Sequence, residues 1–135
     1  METRELTADQ RTQAVALWEA AGLVRAWNPP DADFDRALAG PTSTVLGTFD
    51  GDVLVATAMV GHDGHRGWVY YVAVDATQRR ASLGREVMRA AERWLVARGA
   101  VKVQLMVRAT NAEVLEFYER VGYAAEDVTV MSRWL

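Results

Sequence analysis

The chain has 135 residues, 50% hydrophobic and 24% charged, with 15 basic against 18 acidic side chains and a formal net charge of −3. That is one domain's length, enough to bury a core without staples, so a single domain over residues 1–135 is expected. The absence of cysteine excludes disulfide frameworks, thiolate nucleophiles and zinc–thiolate or iron–sulfur sites, and it makes a reducing cytoplasm the default address; the acidic balance disfavours a nucleic-acid groove.

Met1-Glu2-Thr3-Arg4-Glu5 is too charged for a signal peptide, and no apolar run approaches the roughly 18 residues of a membrane span, so no membrane partner is expected. Thr7-Ala8-Asp9-Gln10 has capping-box spacing, and Ala14, Leu17, Trp18 and Ala21 then recur at helical intervals up to Gly22, a left-handed stop. A short second helix is expected after Pro29-Pro30, with Asp31 and Asp33 at its positive end, Phe34, Ala37 and Leu38 facing inward, and Gly40-Pro41 stopping it. From Thr42 the period becomes two, and Asp50-Gly51 between β-rich runs predicts an antiparallel hairpin of residues 43–49 and 53–61. After the polar tip His62-Asp63-Gly64-His65-Arg66-Gly67, the nearly apolar run 68–74 predicts a central strand. Leu83, Val87, Ala90, Ala91, Trp94 and Leu95 trace the stripe of a helix closed by Gly99. Val101, Val103, Leu105 and Val107 alternate as a strand, and Asn111 opens a helix bearing Val114, Leu115, Tyr118 and Val121 up to Gly122. A last strand is expected within 128–134, where Val128, Val130 and Trp134 offer an edge for a homodimer. Strand 68–74, the helix from 83 and the strand from 101 make a β-α-β unit, parallel and right-handed by the crossover rule, so the fold class is α/β with a mixed sheet.

The chemistry concentrates between the central strand and its helix, in Val72-Ala73-Val74-Asp75-Ala76-Thr77-Gln78-Arg79-Arg80-Ala81-Ser82-Leu83-Gly84-Arg85. Unpaired N–H groups on the positive end of a helix dipole form an anion cradle suited to a phosphate or pyrophosphate. Small side chains at Ala81, Ser82 and Gly84 admit close backbone approach, while Arg79, Arg80 and Arg85 add charge. Fourteen of the fifteen cations are arginine, which favours bidentate oxyanion contacts. The competing reading is a solvated basic loop capping an ordinary helix. No Gly-x-x-x-x-Gly-Lys-Ser/Thr is present, because the single lysine, Lys102, lies on a strand, and no Gly-x-Gly-x-x-Gly follows a strand.

Arg79-Arg80-Ala81-Ser82-Leu83-Gly84, after its Val-Ala-Val strand end and before Asn111, Tyr118 and Gly122-Tyr123, resembles the GNAT N-acetyltransferase signature, Arg/Gln-x-x-Gly-x-Gly/Ala at the start of the central helix. The downstream run Asn-Ala-Glu-Val-Leu-Glu-Phe-Tyr-Glu-Arg-Val-Gly-Tyr is the more specific part, and residues 68–124 follow the family's order and spacing. Leu17-Trp18, Gly22-Leu23, Trp27-Asn28 and the turn 61–67 further resemble the YpeA-like bacterial branch. The resemblance implies the acyl-CoA N-acyltransferase fold, acetyl-CoA as donor, and an amine of a small molecule or protein as acceptor, attacking directly in a ternary complex. It implies that the backbone of Val72 and Val74 holds the pantetheine and thioester and that Arg79, Arg80, Ala81, Ser82, Leu83, Gly84 and Arg85 hold the pyrophosphate. Asn111 would bind the pantetheine arm, and Tyr118 would sit beside the sulfur as general acid.

The chemistry suits those residue types. A splayed or bulged central strand near Val72 would expose the N–H that a developing oxyanion needs, and a phenol can protonate or hydrogen-bond a departing thiolate. Tyr118 also reads as a core tyrosine at helical spacing with Val114 and Val121. Trp27 and Asn28, between the first two helices, would meet the acceptor by stacking and by orienting its amine; Trp27 reads equally as a plug of the core. The departures from the pattern are Ser82 for the first glycine, Ala76 for the usual proline, and Met106 where relatives that acetylate protein N-termini carry glutamate. His65 or His62 could accept the acceptor's proton. Both lie close to Asp63, but a third convincing ligand is missing, so no metal is expected. The alternative function is a non-catalytic acyl-CoA sensor or interaction module.

Overall fold

In the computed structural model, which describes residues 1–78 and 81–135, five strands join one sheet in chain order. They are β1 (Glu2–Glu5), β2 (Ser43–Asp50), β3 (Val53–His62), β4 (Gly67–Val74) and β5 (Val103–Leu105). The first four pair antiparallel and β4 pairs β5 parallel, which makes the sheet mixed as expected. The Asp50-Gly51 hairpin is present, with Gly51 at φ +62, a left-handed conformation that a side chain would strain. The apolar run ending at Val74 is interior, flanked by β3 and β5.

The described residues form four α-helices: α1 (Arg11–Ala20), α2 (Pro30–Ala39), α3 (Ala81–Ala97) and α4 (Ala112–Arg120). Ahead of α1 a 3-10 turn, Ala8–Gln10, is held by the Thr7 N–H donating to Gln10 Oε1 at 2.9 Å, the reciprocal bond of the expected box. Residues 1–105, with the sheet and α1 to α3, form one compact unit; residues 106–135, with α4, form a second. Among the described residues no helix is long and apolar enough to cross a membrane.

Within the first unit, α1 and α2 bury Ala14, Val15, Leu17, Trp18, Phe34 and Ala37 with Val45, Phe49, Leu54 and Ala73 of the sheet. A separate set, Leu83, Val87, Met88, Ala91 and Leu95 of α3, packs on β2, β3 and β4 and covers the opposite face. Apolar burial on both faces explains why β4 is apolar almost throughout.

The structure departs from the sequence reading in four places. β1 was not expected, because Glu2-Thr3-Arg4-Glu5 shows no apolar period; pairing creates it, with Thr3 Oγ1 2.8 Å from Thr48 Oγ1 and the Arg4 guanidinium 4.0 Å over the Phe49 ring. Ala21 lies just past the end of α1 and is exposed. β5 has three residues instead of the span 101–107, and Val101 is exposed. The strand expected within 128–134 is absent: Val128, Val130 and Trp134 are exposed, and a strand needs a ladder partner, which residues 106–135 do not contain.

Gly67 sets the approach of α3 to β4. A Cβ there would stand 2.6 Å from Leu95 Cδ1 and 2.7 Å from Cδ2, inside contact distance. Gly67→Ala is therefore expected to destabilise the fold by about 1–3 kcal/mol through overpacking, read as a lower urea midpoint. An unchanged midpoint would mean that Leu95 swings aside without cost.

Candidate active site

β4 changes character halfway along. Gly67, Trp68 and Val69 pair with Val103, Gln104 and Leu105, but residues 70–74 have no β5 partner among the described residues. On the other edge Met59 faces Tyr70 and Thr57 faces Ala73, so Tyr71 and Val72 together stand opposite Ala58. That is a β-bulge, at the position expected from the chemistry. Among the described residues β5 does not pair with the strand's second half, and an extended, amide-bearing ligand can complete a ladder on such main chain.

Tyr71 has φ +52, alone among the described non-glycine residues. A bulky residue in that region costs on the order of 1–3 kcal/mol and persists only where its surroundings hold it. Here three elements do so. The Trp18 ring of α1 stacks on Tyr71 at 3.9 Å and 16°. Trp18 Nε1–H donates to Thr57 Oγ1 at 2.9 Å, and the Thr57 hydroxyl donates in turn to the Tyr71 carbonyl at 3.0 Å. The Tyr71 hydroxyl donates to Asp33 Oδ2 of α2 at 2.7 Å, while Asp33 Oδ1 accepts from Arg36 at 2.5 Å. Burial and the neighbouring Asp33 carboxylate hold the Tyr71 phenol well above its ordinary range. Sequence reasoning missed this group: Trp18 reads as core stripe and Asp33 as a helix-dipole residue, and Thr57 was not singled out. The available signal was Thr57 itself, a hydroxyl in an otherwise apolar run, now fully buried with Trp18.

The other candidates divide by location. Val72 and Val74 are half-buried in and beside the bulge. In the first turn of α3, Ser82 and Arg85 are exposed while Leu83 and Gly84 are buried. The Leu83 side chain belongs to the core, so only its backbone can face a ligand. Arg79 and Arg80 lie outside the described residues, and Ala81 is placed as the first residue of α3. Asp75 is committed to the turn that follows β4: its Oδ1 accepts from the Thr77 N–H at 2.9 Å and from the Thr77 hydroxyl at 2.8 Å, which holds its carboxyl below the usual range.

Trp27 is 57% exposed, which corrects its reading as a core plug. The cause is local. Arg25 and Asn28 close a tight turn, with the Asn28 N–H on the Arg25 carbonyl at 3.0 Å and the Arg25 guanidinium on the Gly22 and Val24 carbonyls, and the ring projects from its tip. This turn leads directly into α2, which Asp33 ties to Tyr71. His65 is exposed in a different turn, where the N–H groups of His65 and Arg66 donate to Asp63 Oδ1 at 2.8 and 2.7 Å and Trp68 Nε1 donates to Oδ2 at 3.3 Å. These bonds lower the Asp63 carboxyl. From Gly67 to Val72 a strand rises roughly 16 Å at about 3.3 Å per residue, so the structure does not bring His65 to the bulge.

In the second unit Asn111 caps α4, its Oδ1 accepting from the Val114 N–H at 3.3 Å. The helix closes at Gly122 (φ +99), with the Tyr123 N–H on the Tyr118 carbonyl at 2.9 Å. Tyr118 is buried, edge-on to Phe117 at 5.0 Å and Tyr123 at 5.8 Å, and burial pushes its phenol up to about 12. Met106 is half-exposed.

A tyrosine raised from about 10 to about 12 on folding gives its full contribution to stability below pH 10 and loses it as pH rises through 12. Tyr118→Phe is expected to delete a late step from the ultraviolet titration of the four tyrosines and to flatten the fall in melting temperature between those limits. A titration identical to wild type would contradict the placement of this phenol.

The sequence matches the family model described as the acetyltransferase (GNAT) family over residues 4–123. Among solved structures, AAC(6')-Iy in complex with the bisubstrate analogue CoA-S-monomethyl-acetylneamine aligns with a TM-score of 0.85 at 11% identity, over 99% of this chain and 97% of that one. The aminoglycoside antibiotic 6'-N-acetyltransferase AAC(6')-IG of Acinetobacter haemolyticus gives 0.81 at 14% identity, over 100% and 99%. Glucosamine-6-phosphate N-acetyltransferase of Arabidopsis thaliana gives 0.74 at 20%, over 98% and 97%.

Proposed function

The chain belongs to the acetyltransferase (GNAT) family, and from that premise we propose that it is an acetyl-CoA-dependent N-acetyltransferase of the YpeA-like branch, acting on an amine of a small molecule or protein. The observation that carries this reading is the bulged half of β4, paired with β3 on one edge and, among the described residues, without a β5 partner on the other, followed in the chain by the 17-residue helix α3. Extended main chain suits the amides of a pantetheine arm, and the first turn of α3 suits a diphosphate. Ser82, in the glycine position, is exposed, so its hydroxyl can donate to a phosphate oxygen.

Acetyl-CoA, when bound, supplies an activated thioester. Val72 would contribute its main-chain N–H to the carbonyl oxygen as charge gathers there, an interaction worth more in a dry site than in water. The Arg25–Asn28 turn, with Trp27 exposed, flanks the acceptor side, where Asn28 orients the amine. By the family resemblance, Tyr118 would be the residue whose Oη–H donates to the departing sulfur. A phenol near 12 paired with a thiol of about 8.5 would keep the proton mainly on oxygen, so Tyr118 would stabilise the thiolate by a hydrogen bond more than by full transfer. Direct attack is the natural route in a chain with no cysteine to carry an acyl group. The amino-sugar acceptors in the names of two neighbours belong to those proteins; at 14% and 20% identity they inform the architecture, and the acceptor here is set by the residues around the turn.

A second reading, an acyl-CoA-binding module without turnover, is favoured by Met106 in place of a carboxylate and by the commitment of Asp75 to its turn. Acetyl-CoA at a hundredfold excess over its Kd is expected to stabilise the protein by about 2.7 kcal/mol, seen as a raised melting temperature. Thiol release over a panel of amines then separates enzyme from module. Tyr118→Phe is expected to lower kcat about 10²-fold with acetyl-CoA affinity kept within about twofold. No melting shift with acetyl-CoA would sink both readings, and a shift without thiol release would leave the module.

A further inference from the structure

Resting on the acetyltransferase reading, we propose that Thr57, backed by Trp18, is a positioning residue that sets the Tyr71–Val72 bulge and so aims the Val72 N–H, and that the Tyr71–Asp33 bond makes α2 part of the same device. Tyr71 occupies a backbone region that tyrosine avoids, and nothing in its own sequence neighbourhood prescribes it. Losing the bulge would change the β4 register by one residue and turn every later side chain to the other face, so something must hold the extra residue in place. Thr57 does this at the main chain: its single hydroxyl accepts from Trp18 and donates to the Tyr71 carbonyl, at a site fully closed to water. Such a bond is directional and is lost entirely when the hydroxyl is lost. The Tyr71 ring is held as well, stacked on Trp18 and tethered to Asp33, whose side chain is 20% exposed against 65% for Asp31 and 52% for Asp35. α2 follows the Trp27 turn, so the tether links the acceptor side to the peptide that steadies the oxyanion.

The test compares Thr57→Val, which keeps the shape and removes the hydroxyl, with Thr57→Ser, which restores it. The measurements are kcat for thiol release, acetyl-CoA Kd, melting temperature, and the Tyr71 φ angle in a crystal structure of each variant. Thr57→Val is expected to lower kcat at least about tenfold with Kd within about threefold, and to return φ to negative values; Thr57→Ser should recover both. Serine as slow as valine would assign the effect to packing, and φ near +52 with wild-type kcat in Thr57→Val would overturn the proposal. If valine prevents folding, Tyr71→Phe serves, since it keeps the stack and loses only the Asp33 bond. Its acceptor KM should then rise about threefold or more, and unchanged kinetics would overturn the link to α2. A wild-type protein that neither binds acetyl-CoA nor releases thiol refutes the enzyme reading instead, and the crystallographic φ of the Thr57 variants still decides the clamp.

Discussion

Between Ala73 and Tyr70, β4 takes three steps where β3, from Thr57 to Met59, takes two. That one surplus residue organises the candidate site. It puts Tyr71 into a left-handed backbone conformation and leaves Val72 opposite no partner of its own. It also lies where pairing with β5 has already stopped, so the same short segment is irregular on one edge and open on the other. A strand in that state can serve a ligand's backbone-like groups only if it is kept from relaxing into regular pairing. The burial of Trp18 and Thr57 beneath it supplies that restraint.

How much of this could be read from sequence depends on how local the cause is. The Asp50-Gly51 hairpin, the Asn111 cap and the left-handed stops at Gly22, Gly99 and Gly122 follow from a few adjacent residues, and all are present. The long stripe of α3 is also local, a period of 3.6 over many residues. The clamp is different. Its bonds join residues 39, 14 and 38 positions apart, and no period or motif encodes them. The bulge was foreseen from what the reaction requires, whereas the residues that hold it were not. β1 and the tail mark the same limit from opposite sides: charged residues form a strand because β2 offers a ladder, and alternating apolar residues fail to form one where no ladder is offered.

Polar groups near the bulge are largely spoken for. Arg11 reaches Asp31 at 3.8 Å and Asp35 at 2.8 Å, tying α1 to α2 at the surface, where such pairs contribute about 0–1 kcal/mol each. Asp33 is shared between Arg36 and Tyr71 and Asp75 between two groups of Thr77, while in the turn at the far end of β4 Asp63 accepts from His65, Arg66 and Trp68. None of these carboxylates is arranged as a general base. Around the bulge itself, hydrogen-bond donors are arranged and free carboxylates are not.

The sheet's outer edge has a consequence of a different kind. β1 is only four residues long and sets Glu2, Arg4 and Glu5 at the open margin, all exposed. Another molecule trying to extend the sheet there would have to desolvate three ionic groups to gain a handful of backbone bonds. Crowded solutions of this protein are thus guarded against fibrillar self-association on that flank by the very residues that hide the strand from a sequence reader.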